Sequence, residues 1–69
     1  MNCNIRIINP FPIIKGGQKV AFVNAGEDYD GTKTSYGVVR FYVPDIDGKL
    51  YRIALKENDP DIEVKMYQQ

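Results

Sequence analysis

The side chains with chemistry to offer in this sequence are tyrosines and arginines set an even number of residues apart. Tyr36, Arg40 and Tyr42 share one phase of an alternating run, and Arg52 occupies the matching phase of the next run. Aromatic rings stack on nucleobases and guanidinium groups pair with phosphates, so this mixture on one β face suits a single-stranded nucleic acid. Tyrosine and arginine are also ordinary cross-strand neighbours on a solvated sheet, and that reading stands beside the first. Arg6 and Lys19 come near the same face if the sheet curls.

Chemistry that depends on histidine is excluded within the chain, because the sequence has none. Ser-His-Asp and Cys-His nucleophiles, histidine zinc ligands and histidine pH switches are therefore absent. The single cysteine, Cys3, has no partner for an internal disulfide and no base beside it, so a buried thiol in a reducing, cytoplasmic setting is expected. Asp45-Ile46-Asp47-Gly48 resembles a fragment of a calcium loop, but it lacks the further ligands and closing glutamate of such a loop. Two turn aspartates explain it. No enzyme activity, metal or cofactor is expected.

The elements that must position the Tyr/Arg face are short blocks of alternating apolar and polar residues, separated by Gly, Pro, Asn and Asp. Asn4 to Ile8 reads as a first strand with Cys3, Ile5 and Ile7 inward, ended by Pro10 and Pro12. Ile13-Ile14 adds a short edge piece before the Gly16-Gly17 turn, and Gln18 to Val23 follows as a strand with Val20 and Phe22 inward. Asn24 to Ser35 has no sustained apolar period and reads as a long surface loop. Tyr36 to Val43 and Lys49 to Leu55 form a hairpin through Pro44 to Gly48, with Val39, Phe41 and Val43 packing on Tyr51, Ile53 and Leu55. Ile62 to Tyr67 completes the set after a polar turn.

Five strands in 69 residues make one domain spanning 1–69. Curling into a small five-stranded antiparallel barrel, OB-like or SH3-like, removes the two long edges that a flat meander exposes. The alternative is an open sheet that dimerises. No run approaches the roughly 20 apolar residues of a membrane helix.

The long loop contributes Tyr29 and Lys33 as further candidates for contact with a nucleic-acid strand. Its acidic residues Glu27, Asp28 and Asp30 instead repel phosphate and suit a basic protein partner. Nine Lys and Arg balance nine Asp and Glu, which argues against a generally basic coat without excluding a basic patch.

The stretch Gly31-Thr32-Lys33-Thr34-Ser35-Tyr36, followed by Tyr42-Val43, Tyr51, Ile53-Ala54-Leu55 and Glu57, resembles the central part of small single-stranded-DNA-binding proteins of filamentous phages. That resemblance implies an OB-like homodimer with Tyr36 and Tyr42 stacking on bases and Arg40 and Arg52 contacting phosphates. The competing expectation is a small protein-interaction module or inhibitor of the type encoded by phages and mobile elements. It would dock through its acidic loop or an edge strand.

Overall fold

The computed structural model describes residues 1–67. Seven strands follow one another: β1 (Asn2–Ile7), β2 (Phe11–Lys15), β3 (Gln18–Val23), β4 (Asp28–Lys33), β5 (Val38–Pro44), β6 (Leu50–Lys56) and β7 (Ile62–Met66). They form an antiparallel five-stranded sheet in the order β6-β5-β4-β1-β7 and a separate two-stranded sheet, β2-β3. The chain is all-β, and among the described residues no helix is long and apolar enough to cross a membrane.

Alternation builds the core where it was visible in the sequence. Cys3, Ile5 and Ile7 of β1, Val39, Phe41 and Val43 of β5, Ile53 of β6 and Ile62 of β7 turn to one side of the sheet and are buried. The β2-β3 hairpin supplies Ile13 and Val23 to the same cluster. Its turn is Gly16-Gly17, where φ values of 57° and 77° meet the need of a two-residue hairpin for two left-handed positions.

The expected loop over Asn24 to Ser35 is corrected, because Asp28–Lys33 is β4, the middle strand of the five. Its alternation is real but carries no aliphatic signal: Tyr29, Gly31 and Lys33 take the inward phase, and Asp28, Asp30 and Thr32 face out. Gly31 is required by proximity. A Cβ built there lies closer than 3.0 Å to the Arg40 carbonyl oxygen and to Ile5 Cδ1, so only glycine lets β4 sit between β1 and β5.

Two smaller expectations also change. Pro12 lies inside β2, a strand that pairs on one side only and so tolerates a missing amide. Phe22 is 45% exposed and Val23 fully buried, the reverse of the expected phase for those two residues. A register shift between Ile13 and Ile14 interrupts the β2-β3 ladder, and the Lys19 ammonium stands over the outward Phe22 ring at 5.7 Å.

Seven strands replace the expected five, and among the described residues no ladder joins β6 to β7 or β2 to β6 to close a barrel. Strand β2 does run beside the free edge of β6, across a cleft of about 240 Å³ lined by Phe11, Ile14, Arg52 and Ala54. Lys15 Nζ donates to the Arg52 carbonyl oxygen at 3.4 Å across it.

Candidate nucleic-acid interface

The outward face of the five-stranded sheet holds a groove of about 700 Å³ that is open to solvent. Arg40, Tyr42 and Arg52 form one side, Tyr67 and Asp30 the other, and Asn2 and Thr32 lie between them. Strand pairing dictates this assembly. Tyr42 is directly opposite Arg52, and Arg40 is opposite Ala54 on β6 and Thr32 on β4. Thr32 is in turn opposite Asn2, whose carbonyl accepts from the Tyr67 amide at 3.3 Å. The backbone bonds Asp45 N–H to Lys49 C=O and Glu57 N–H to Gly37 C=O fix the phase of the β5-β6 ladder. That phase makes Tyr42–Arg52 a non-hydrogen-bonded pair, the type whose side chains approach more closely.

Tyr42 is 56% exposed, and Arg40 and Arg52 are exposed beside it. Neither guanidinium has a carboxylate partner among the described residues, where the ion pairs are Arg6–Asp28 and Lys33–Glu57. On the opposite side the Tyr67 hydroxyl donates to Asp30. That bond, followed by partial desolvation, pushes the Tyr67 hydroxyl up from its ordinary value and keeps it protonated.

The remaining candidates lie elsewhere. Tyr36 sits in the turn between β4 and β5 rather than in a strand, is 91% exposed and does not line the groove. Tyr29 turns inward, with its ring 5.4 Å from that of Phe41 and its hydroxyl donating to Glu27 at 3.1 Å. Burial first, and Glu27 second, push its hydroxyl up to about 12. Lys33 is also inward, paired with Glu57 at 2.8 Å.

The acidic residues do not form a free cluster. Glu27 accepts from the Asn24 amide at 2.7 Å, and Asp28 takes a two-pronged bond from Arg6 at 2.9 and 3.0 Å. That guanidinium holds the Asp28 carboxyl below the ordinary range. Asp45 of the calcium-like turn is committed to its own backbone, accepting from the amides of Asp47 at 2.8 Å and Lys49 at 2.9 Å. Cys3 is buried on the core side of β1, and desolvation raises its thiol.

Sequence reasoning missed Asn2, Thr32 and Tyr67 as members of the groove. Extending the β1 alternation back by two residues finds Asn2, and the β7 alternation finds Tyr67. Thr32 needed β4 to be recognised as a strand. No protein-family model, curated protein or solved structure matches the chain.

Proposed function

We propose that this protein is a small binding module for single-stranded nucleic acid, which it holds across the outward face of β4, β5 and β6. The observation that carries the reading is the exposed Tyr42 ring flanked by two guanidinium groups, Arg40 and Arg52, that have no counter-charge among the described residues. Tyr42 is the stacking platform and the arginines contact the phosphates. Asp30 repels phosphate from the far side of the groove and keeps the strand on the β5-β6 half. The resemblance to phage single-stranded-DNA-binding proteins assigns the same roles to Tyr42, Arg40 and Arg52. On this reading the sheet and the β2-β3 hairpin together act as a partly opened barrel, with the cleft between β2 and β6 as its seam.

Fluorescence anisotropy with labelled single-stranded DNA and RNA, at low and moderate salt, tests the proposal. Salt-sensitive binding is expected, with R40A/R52A weakening it at least about tenfold and Y42A removing about 1–3 kcal/mol of stacking. Y36A, outside the groove, leaves the affinity unchanged. Absence of binding at low salt, or binding indifferent to all three groove substitutions, overturns the reading.

A further inference from the structure

The five-stranded sheet ends in two edges, β6 and β7, and they are protected differently. Along β6 the phase of the ladder with β5 turns the backbone groups of Leu50, Arg52, Ala54 and Lys56 outward. Strand β2 lies beside that edge, and Lys15 covers the Arg52 carbonyl.

Along β7 the phase is fixed by the Tyr67 amide on the Asn2 carbonyl and the Ile8 amide on the Asp61 carbonyl. Antiparallel ladders alternate, so Glu63 and Lys65 turn their backbone groups to Arg6 and Asn4 of β1. The amides of Val64 and Met66 and the carbonyls of Ile62, Val64 and Met66 then point away from the sheet. Among the described residues no strand lies along this edge.

We propose that a second copy of this chain pairs with β7 in antiparallel fashion, about a two-fold axis through the Val64 pair. In that register position 62 faces 66, 63 faces 65, and 64 faces itself. The Val64 amides and carbonyls bond reciprocally, and each Met66 amide reaches the Ile62 carbonyl of the other copy. The Ile62 amide, already bonded to the Asp59 carbonyl at 3.2 Å, is not needed.

Side chains in this register are self-complementary. On the outward face Glu63 of each copy stands opposite Lys65 of the other. Neither residue has an ion pair among the described residues, since Arg6, the neighbour of Glu63 on β1, is committed to Asp28. On the inward face Val64 meets Val64 and Ile62 meets Met66. Val64 and Met66 are half-buried in the single copy and gain cover.

Several alternative self-pairings oppose like charges, which destabilises a strand pair. Parallel in-register pairing of β7 sets Glu63 against Glu63. Antiparallel pairing of β6 about Arg52 sets Arg52 on itself, and about Ala54 it sets Arg52 on Lys56. A closed two-fold dimer through β7 joins the two sheets into ten strands, with both grooves on one face. This inference does not rest on the nucleic-acid reading.

Sedimentation equilibrium of the full chain, taken up to about 1 mM because a single strand pair buries little area, tests the proposal. A reversible dimer is expected. E63K and K65E, both exposed and away from the core, each turn two attractive pairs into two repulsive ones and weaken the dimer by about tenfold or more. The double variant E63K/K65E restores the affinity, and an equimolar mixture of the two single variants forms heterodimer. V64P removes an outward amide without touching the β1-β7 ladder and yields a monomer with unchanged circular dichroism. A protein monomeric throughout, or a dimer indifferent to both single charge reversals, overturns the proposal. R40A/R52A leaves dimerisation unchanged, so failure here and failure of the nucleic-acid reading remain separate results.

Discussion

Gly31 sits where the fold has least room, and G31A tests that constraint directly. The added Cβ meets the Arg40 carbonyl oxygen and Ile5 Cδ1 inside 3.0 Å and Phe41 Cβ at 3.2 Å. Ile5 can rotate its terminal methyl aside, but the Arg40 oxygen belongs to the backbone of β5 and moves only if the β4-β5 ladder opens. Overpacking of this kind costs about 1–3 kcal/mol, and the immobile partner places G31A near the upper end. Removing a glycine returns about 0.5–1 kcal/mol through the unfolded chain, leaving a net loss of about 2 kcal/mol. A chain of 69 residues has a total stability of about 3–10 kcal/mol, so the loss is a large fraction of it. Urea unfolding followed by circular dichroism reads the effect as a drop in midpoint of about 1–2 M at unchanged slope. The double variant I5V/G31A separates the two clashes, because it relieves only the one with Ile5. It is expected to remain well below I5V alone. A G31A protein within 0.5 kcal/mol of wild type, or full rescue by I5V, refutes the backbone argument.

Two pH responses follow from groups outside the groove. The Tyr29 hydroxyl, pushed up from 10.0 to about 12, contributes stability that is complete below pH 10 and is lost as pH rises towards 12. Thermal midpoints measured across that range are expected to fall more steeply for wild type than for Y29F, and parallel curves refute the assignment. At the Asp45 carboxyl, desolvation pushes upward but is outweighed by the bonds from the Lys49 and Asp47 amides and the Tyr51 hydroxyl, leaving it below 3.8. Its stabilisation is present above about pH 4 and disappears as pH falls through the lowered value. D45A is therefore expected to lower the urea midpoint at pH 7 while flattening the acid limb, and D47A is expected to do neither.

The hairpin of β5 and β6 was legible in the sequence because Val39, Phe41, Val43 and Ile53 mark its inward phase with large apolar side chains. The same phase brings Arg40, Tyr42 and Arg52 to one face. Strand β4 was illegible for a physical reason. Its inward positions answer to tertiary demands, a glycine for the close approach of β5, a tyrosine against Phe41 and a lysine paired with Glu57, and none of these raises the local hydrophobic period. The far half of the groove was hidden with it. Tyr67 can face Tyr42 only because β4 and β1 are inserted between β5 and β7, and strand order is a long-range property that alternation does not encode. Phe22 failed differently, since residue size suggested an inward phase that the paired hairpin with its register shift did not adopt.

A net charge of zero also conceals where the charges are used. Short acidic side chains are drawn into turns and ladders: Glu27 and Asp59 accept from backbone amides, as Asp45 does, while Asp28 and Glu57 are held in ion pairs and Asp61 accepts from Asn9. Arg40, Arg52 and Lys56 have no such partners among the described residues, and all three lie on the outward phase of β5 and β6. The β5-β6 half of the face is therefore locally basic in a neutral protein. Counterion release makes this countable. Each phosphate neutralised on a single strand contributes about −0.7 to the slope of log K against log salt, so two arginine contacts give about −1.4 and a third cation about −2. R40A and R52A should each make the slope shallower by about 0.7, whereas Y42A should lower the affinity at every salt concentration without changing the slope. A wild-type slope near zero, or a Y42A variant whose slope changes as much as that of R40A, would mean that the strand lies somewhere other than across these three side chains.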